Sequence, residues 1–420
     1  NRFVFHRFAH QPWLDRQPGM TMGPYGVHWD RTQTWWPLIG DYHRYLARCQ
    51  WLLRQGTPVA DICYLIPEGA PHVFLPPQSA LEGELPDRRG YNFDGCSPDV
   101  LIAHASVKNR RIVFSGGAEY RLLVLPAFET MTPALLKAIQ RLAESGAMIA
   151  GPAPRKSPSL SDYPQCDREI ETMAKNLWGN SQNPIRDIKP GQENELYPGY
   201  EDTANMLAGM GIPPDFEADG SIRYTHRRLV NLDFYFVANR KAEFVQTPCR
   251  FRVKGKTPQL WDPLTGEIRA LPEYEQRGEV LEIPLQFEPH QSYFIVFSAE
   301  PLQTAQENAP QRNFPTASPI ASIGGSWEVS FKPELGGPGK VRMEELKDWS
   351  QYTEPEIRYY SGVAVYSAIF DLPPSHRGKN QRLALGLGKV HEMARVTLNG
   401  TDLGGLWCAP WRVDISKAIR

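Results

Sequence analysis

Polar and aromatic side chains are crowded into residues 2–36 of the chain, which we call the opening stretch, in two groups separated by three glycines. The first group follows the apolar run Phe3-Val4-Phe5, and the second ends at Trp35-Trp36. Flat aromatic rings pack on the C–H faces of sugars, while Arg, Asp, Gln and His side chains hydrogen-bond hydroxyl groups. We therefore predict one wall of a saccharide site, lined by His6, His10, Trp13, His28, Asp30, Arg31 and Trp35.

The alternative for the opening stretch is a structural one, in which His6 and His10 are hydrogen-bonded core histidines and the tryptophans belong to the core. Glycine-rich loops of polar and aromatic residues are seldom core, so the stretch as a whole favours a binding site. Asp30 has the most attractive context among its carboxylates, and we interpret it as a hydroxyl acceptor rather than as a catalyst.

The elements around these residues are typical of a (β/α)8 barrel. Phe3-Val4-Phe5 reads as a buried strand, and apolar residues at helical spacing predict a helix over 38–56 that ends at Gly56. A strand that delivers functional side chains from its carboxyl end and is followed by a helix is the repeating unit of such a barrel. We interpret residues 1–57 as its last βα unit, and we expect both ends of the chain to be truncated.

Composition narrows the classes of function. The 420 residues include 46 basic and 47 acidic side chains, and the formal charge of -1 argues against a partner among nucleic acids or other polyanions. No apolar run reaches membrane length. The 38 prolines and 34 glycines favour a loop-rich, β-rich protein over a helical bundle. The six scattered cysteines include no C-x-x-C pair and predict neither a zinc nor a disulfide framework.

A strand at 120–126, a helix at 132–145 and a strand at 147–151 form the clearest α/β pattern. Thr132-Pro133 is a typical helix start and Gly146 a typical stop, so we predict a doubly wound parallel sheet within an α/β domain over 58–220.

We interpret this α/β domain as non-catalytic. Cys96 lies in a loop-like context, Phe93 to Pro98, that does not indicate a nucleophile elbow, and no G-x-S-x-G occurs at a strand-to-helix turn. The segment Tyr91-Asn92-Phe93-Asp94 could reach a sugar site, but we favour a surface turn.

Short strands separated by turn residues predict a β-sandwich over 221–300. Within it His226-Arg227-Arg228 could touch a neighbouring domain, but we favour a solvated strand end. Residues 301–320 predict a linker, and 321–420 a second all-β domain with a strand at 358–370 and a hairpin turn at Asn399-Gly400. Its clusters Tyr359–Gly362 and Trp407…Trp411 could stack on sugars, but we favour a core role.

Three groups of motifs carry a resemblance to known glycosidases. The segments His6–Trp13, Pro18–Pro24 and His28-Trp29 resemble the last barrel strand of α-L-rhamnosidases of glycoside hydrolase family 106. Tyr120–Gly151 resembles the amidotransferase-like domain of family 42 β-galactosidases. The segments from Ile357 to Ile415 resemble the jelly-roll sugar-binding domain of family 2 glycosidases, here truncated at its carboxyl end.

The resemblance implies an inverting hydrolase that releases L-rhamnose from plant glycans, with a barrel catalytic domain and with calcium. Inversion needs an acid and a base carboxylate about 6.5–9.5 Å apart. We expect both upstream of Asn1, so that the 420 residues alone would be inactive. The resemblance implies a carbohydrate as partner, with neither nucleic acid nor membrane, and it is compatible with a periplasmic or secreted protein. The alternatives are a β-galactosidase-like hydrolase and a non-catalytic glycan-binding or assembly module.

Overall fold

The computed structural model describes residues 2–5, 10–21, 23–26, 28–82, 85–86, 90–179, 185–191, 195–300, 312–373 and 382–419. The chain divides into two compact units. The first unit comprises Asn1–Arg54, Pro263–Gly266 and Pro315–Arg420, and the second comprises Gln55–Asp262 and Glu267–Phe314. None of the helices in these ranges is long and apolar enough to span a membrane.

The α-helices of the described ranges are α1 (Gly40–Leu52), α2 (Pro98–His104), α3 (Pro133–Glu144), α4 (Gln165–Trp178), α5 (Tyr200–Gly209) and α6 (Pro355–Arg358). The first strands are β1 (Thr57–Pro58), β2 (Ile62–Leu65), β3 (Leu81–Glu82), β4 (Leu85–Pro86), β5 (Phe93–Cys96), β6 (Ala105–Lys108), β7 (Arg111–Phe114), β8 (Glu119–Tyr120), β9 (Leu122–Val124), β10 (Met148–Ala150) and β11 (Ile185–Arg186). The next are β12 (Phe216–Glu217), β13 (Ile222–Arg228), β14 (Leu232–Asn239), β15 (Val245–Phe251), β16 (Thr257–Trp261), β17 (Ile268–Ala270), β18 (Glu275–Arg277), β19 (Val280–Phe287) and β20 (Ser292–Ser298). The last are β21 (Trp327–Ser330), β22 (Lys340–Met343), β23 (Val365–Ser367), β24 (Ala384–Gly386), β25 (Ala394–Leu398), β26 (Thr401–Leu406) and β27 (Arg412–Asp414).

A five-stranded parallel sheet in the order β11-β10-β9-β2-β5 organises the first half of the second unit. Every residue of β2 and β9 is buried, because helices or loops cover both faces of the sheet. Cys63 and Leu65 face a cluster that includes α3 and α4, whereas Ile62 and Tyr64 face a cluster that includes α5. The predicted strand, helix and strand at 120–151 are confirmed as β9, α3 and β10, and the Thr132 side chain caps α3 by accepting from the Leu135 amide at 3.3 Å.

The second half of this unit is a pair of antiparallel sheets, β1-β13-β14-β20-β16-β17 and β12-β15-β19-β18. Their facing side chains form one core, and β15 alternates strictly between buried and exposed positions, as expected of a strand with one face on the core.

The first unit combines α1 with small antiparallel sheets, β22-β21-β23, β24-β27 and β25-β26. The hairpin turn at Asn399-Gly400 is confirmed, since both residues have positive φ and the turn joins β25 to β26.

Four sequence predictions need correction. Residues 3–5 are exposed and lie outside any regular element, since none of the described strands pairs with them. Tyr91, Asn92 and Phe93 are buried rather than a surface turn, because β5 forms the edge of the parallel sheet. Cys96 ends β5 just before α2, so its context is a strand-to-helix junction and not a loop. The strand predicted at 358–370 is instead the end of α6 followed by β23.

Candidate functional site

Buried polar side chains tie the two halves of the opening stretch together. Gln11 donates from Nε2 to His28 Nδ1 at 3.0 Å, and its Oε1 accepts from the Met20 amide at 3.0 Å. Because Oε1 is committed to a backbone donor, the amide orientation is fixed, and the ring proton of His28 lies on Nε2. The Gly19 amide donates to the Thr32 carbonyl at 3.0 Å. Residues 11–20 are therefore held against 28–33 although this stretch has little regular structure.

Asp30 takes part in the hydrogen bonds that hold the opening stretch together. Its Oδ1 accepts from the Thr32 amide at 3.0 Å and from the Thr32 hydroxyl at 2.9 Å, and Arg31 lies 3.8 Å from Oδ2. The backbone hydrogen bond from Thr32 is the main cause that holds the pKa of Asp30 below its ordinary value, against the opposing effect of burial. Asp30 is thus an ionised acceptor.

Aromatic side chains gather around Trp29 in the first unit. The Trp29 ring stacks on Phe5 at 5.1 Å between centroids and lies 5.0 Å from Trp35 and 5.3 Å from Tyr42. Its Nε1 donates to His43 Nε2 at 2.9 Å. Rings at these separations and tilts attract one another beyond the area they bury. We call the residues Phe5, Trp29, Trp35, Trp36, Tyr42 and His43 the aromatic cluster.

The structure separates the predicted site residues by exposure. His10 and Arg31 are exposed, and Trp13 is 64% exposed. His28 and Asp30 are buried and hydrogen-bonded, and Trp35 is half-buried in the aromatic cluster, while His6 lies outside the described residues.

The sequence did not predict the central residues of the buried hydrogen bonds in the opening stretch or of the aromatic cluster. Gln11, Trp29 and His43 were not among the predicted lining residues, although Trp29 stands between two of them in the sequence. His43 lies on α1, and only the fold brings it to Trp29.

A second polar constellation lies inside the second unit, and it overturns the prediction that His226-Arg227-Arg228 is a solvated strand end. His226 is fully buried on β13 and hydrogen-bonds to Asp215 at 3.0 Å through Nδ1 and to Asp233 at 2.9 Å through Nε2. Carboxylates only accept, so both ring nitrogens of His226 donate and the imidazole is protonated. Tyr235 stacks on the ring at 3.9 Å and donates to Asp215 Oδ1 at 3.0 Å.

Arginines extend this constellation to the parallel sheet. Arg252 Nη2 contacts Asp61 Oδ2 at 2.9 Å and Asp215 Oδ1 at 3.3 Å, and Arg121 Nε donates to Asp61 Oδ1 at 3.1 Å. We call the set the ionic network: Asp61, Arg121, Asp215, His226, Arg228, Asp233, Arg252 and Lys256.

Mutual neutralisation dominates the titration of His226, Asp215 and Asp233, whereas burial raises the pKa of Asp61 in the same network. Burial alone would lower the pKa of His226, but Asp215 and then Asp233 raise it above its ordinary value. Burial raises the pKa of Asp215, yet His226 and then Arg252 hold it below the usual carboxyl range, and the pKa of Asp233 is likewise lowered. The His226 imidazolium and the carboxylates of Asp215 and Asp233 thus favour one another's charged forms.

The position of the ionic network also indicates a structural role. Asp61 immediately precedes β2, at the amino end of the parallel strands, whereas open α/β sheets bind ligands outside the carboxyl ends. Groups that are buried and satisfied by one another hold the second unit together rather than receive a substrate.

Cys96 offers no accessible nucleophile despite its place between β5 and α2. Its side chain is 7% exposed, and Sγ donates to the Ser97 carbonyl at 3.3 Å. The Cys63 thiol hydrogen-bonds to it, and this contact lowers the pKa of Cys96. The thiol thus belongs to the core of the parallel sheet.

The described part of the chain brings together no three His, Cys, Asp or Glu side chains that could hold a metal ion. We therefore assign calcium no ligand here and derive no chemical step through it.

Comparisons with known proteins agree with the resemblance seen in the sequence. The model of the α-L-rhamnosidase family, glycoside hydrolase family 106, matches residues 1–276. The solved rhamnosidase from Novosphingobium sp. PP1Y is similar at a TM-score of 0.79 and 28% identity, over 94% of this chain and 37% of that one. A protein of Formosa agariphila named "Putative beta-glucuronidase" is 31% identical over 330 residues, 77% of this chain and 26% of that protein. The chain thus spans well under half the length of either relative. With a family match over most of its residues, it belongs to glycoside hydrolase family 106 and is rhamnosidase-like in sequence and in structure.

Proposed function

We propose that the complete protein is an inverting α-L-rhamnosidase acting on plant glycans or glycosides, and that this chain supplies one wall of its sugar site. The observation that carries the proposal is the match to the rhamnosidase family model, which begins at residue 1 and includes the whole opening stretch. The irregular but internally tied loop of that stretch supports it, because such loops hold side chains toward a ligand.

The proposed roles follow from exposure. Exposed His10 donates to or accepts from sugar hydroxyl groups, and exposed Arg31 donates to them. Exposed Trp13 and half-buried Trp35 stack on C–H faces. His28 and Asp30 line the site from behind, where their hydrogen bonds to Gln11 and Thr32 fix the shape of the loop. His6 is included from its place in the sequence motif.

The proposed domains are a last βα unit of a barrel at 1–57, a non-catalytic amidotransferase-like domain at 58–220, a β-sandwich at 221–300, a linker at 301–320 and a jelly roll at 321–420. In the first of these, α1 is the helix of the unit, and residues 3–5 pair with none of the described strands. The five-stranded parallel sheet supports the amidotransferase-like domain, and the pair of antiparallel sheets supports the β-sandwich. The small sheets after residue 320 support the last.

Inversion requires one carboxyl group to protonate the leaving oxygen and a second to activate water from the opposite face of the sugar. We assign neither role to a carboxylate of this chain. Asp30 is committed to Thr32, and Asp61, Asp215 and Asp233 are committed to the ionic network. The activity is therefore proposed for the complete protein, and the 420 residues alone are expected to be inactive.

A β-glucuronidase is the second candidate, because the relative from Formosa agariphila carries that name. Glucuronic acid carries a carboxylate where rhamnose carries a methyl group, and the exposed guanidinium of Arg31 is a group that pairs with carboxylates.

The test is an assay of the complete protein on nitrophenyl α-L-rhamnoside, β-D-glucuronide and β-D-galactoside, with the 420-residue chain as control. We expect turnover of the rhamnoside at least ten-fold above the other two and none by the control. Proton NMR of the first product should show the anomer opposite to that of the substrate. Faster turnover of the glucuronide would replace the first candidate by the second, and release of the same anomer would overturn inversion.

A further inference from the structure

Helix α1 connects the opening stretch to the terminal hairpin β25-β26 within the first unit. The Tyr42 ring lies between two tryptophans, 5.3 Å from Trp29 on one side and 5.7 Å from Trp407 on the other. The Trp407 contact is edge-on, and Trp407 makes a similar contact with Tyr45 at 5.9 Å. One aromatic side chain of α1 thus touches both regions.

A backbone contact fixes the same end of α1. The Gly405 amide on β26 donates to Asp41 Oδ2 at 2.8 Å. A Cβ at position 405 would stand 2.8 Å from that oxygen, so a side chain there would push the Asp41 carboxylate away from the amide. Asp41 also pairs with Arg44 through its other oxygen. The first turn of α1 is therefore anchored by a hydrogen bond from β26 and by a ring contact with Trp407, the residue that follows this strand.

His43, the residue after Tyr42 on α1, hydrogen-bonds to the opening stretch. His43 Nε2 accepts from Trp29 Nε1 at 2.9 Å, and Trp29 in turn lies 5.0 Å from the Trp35 ring. A shift of α1 would therefore move Trp29 and Trp35 together. Stacking on a sugar depends on ring placement to about 0.5 Å, so this anchoring matters for affinity.

We infer that Trp407 and Gly405 are positioning residues for the sugar site, acting through Asp41 and Tyr42 of α1 on the rings of Trp29 and Trp35. The inference rests on the proposed function, because it assumes that Trp35 stacks on the substrate. Neither Trp407 nor Gly405 needs to touch the sugar. Their effect is on binding of substrate and transition state alike, which changes KM and leaves kcat nearly constant.

The experiment compares Trp407→Ala, Trp407→Phe and Trp349→Ala in the complete protein. Trp349 is the matched control, since it packs on Phe331 and Tyr360 in the same unit, at 5.5 Å from each, away from α1. For Trp407→Ala we expect KM for the nitrophenyl rhamnoside to rise about 3- to 10-fold, the value of an aromatic pair, with kcat within two-fold. Trp407→Phe should restore most of the loss, and Trp349→Ala should keep the wild-type KM.

A second readout does not depend on activity. The 420-residue chain is labelled with 5-fluorotryptophan, and the ¹⁹F signal of Trp29 is assigned by its loss in Trp29→Phe. We expect this signal to shift in Trp407→Ala and to stay in place in Trp349→Ala. A wild-type KM or an unmoved Trp29 signal in Trp407→Ala overturns the inference, as does an equal rise of KM in Trp349→Ala. A wild-type protein without activity on rhamnosides overturns the proposed function and, with it, the role in sugar binding.

Discussion

The ionic network and the opening stretch are built from the same kinds of side chain, yet they differ in exposure. His226 and Asp215 are fully buried, and each is bound by at least two partners. In the opening stretch, Trp13 is 64% exposed and His10 and Arg31 are exposed as well. A list of residue types would rank the two regions equally, or even favour the network for its His flanked by two carboxylates.

The difference lies in what each group can still bind. In the ionic network each charge lies beside an opposite charge inside the protein, so removing one partner would leave a buried charge uncompensated. In the opening stretch the hydrogen bonds of His28 and Asp30 fix a loop on which other polar and aromatic side chains, Trp13 among them, remain exposed. Substitutions should therefore alter stability in one region and affinity in the other.

The largest effect is expected for Arg252→Met. Arg252 neutralises Asp61 and Asp215, and its loss would leave buried carboxylates short of a partner, at a cost of about 3–5 kcal/mol in the free energy of unfolding. Urea unfolding of the 420-residue chain measures it. The control is Arg250→Met two positions earlier, whose side chain points outward to Glu282 and should cost less than about 1 kcal/mol. An equal loss of unfolding free energy in the two variants would contradict the difference proposed between buried and exposed ion pairs.

Gly19→Ala should break the tie within the opening stretch. A Cβ at position 19 would stand 1.9 Å from Thr32 Oγ1, so the 11–20 segment must move away from 28–33, at a local cost of about 1–3 kcal/mol. Trypsin should then cleave after exposed Arg16 about ten-fold faster or more. Gly324→Ala is the control in the same unit, since nothing lies within 4 Å of its Cβ. Unchanged cleavage in Gly19→Ala would mean that the loop is not held as described.

His226→Gln should show whether the stabilisation that His226 provides falls or grows as pH rises. The pKa of His226 is raised by folding, so its stabilisation is complete below the unfolded-state value of about 6.5 and is lost as pH rises through the folded-state pKa. The difference in unfolding free energy between wild type and variant, about 1–3 kcal/mol near pH 6, should therefore shrink toward pH 9. The depressed pKa values of Asp215 and Asp233 act oppositely and weaken the fold only as pH falls. A difference that grows with pH would contradict this assignment.

The sequence predicted elements whose signals are local. β9, α3 and β10 follow from the Thr132 cap, the helical spacing and Gly146. β5 was missed because Asp94 and Gly95 disfavour strands, and only pairing with β2 at the sheet edge makes it one.

The ionic network was missed because its partners are distant in the sequence. Arg252 and Asp61 are 191 residues apart, and His226 in a run of basic residues reads as solvent-exposed until Asp215 and Asp233 are placed beside it. The wall of the sugar site was proposed from composition, but the sequence could not divide its members into the buried His28 and Asp30 and the exposed His10, Trp13 and Arg31.

The smallest effect on stability, with a clear effect on function, is expected for Trp13→Ala. An exposed ring contributes little to folding, so the unfolding free energy should stay within about 0.5 kcal/mol of wild type. If the ring stacks on substrate, KM of the complete protein should rise several-fold, in line with about 1 kcal/mol of lost contact. Trp51→Ala is the matched control, because Trp51 is 63% exposed but lies on α1 outside the opening stretch, and its KM should be unchanged. Equal KM values in both variants would show that exposure alone does not mark a sugar contact, and the division between the two regions would then need another basis.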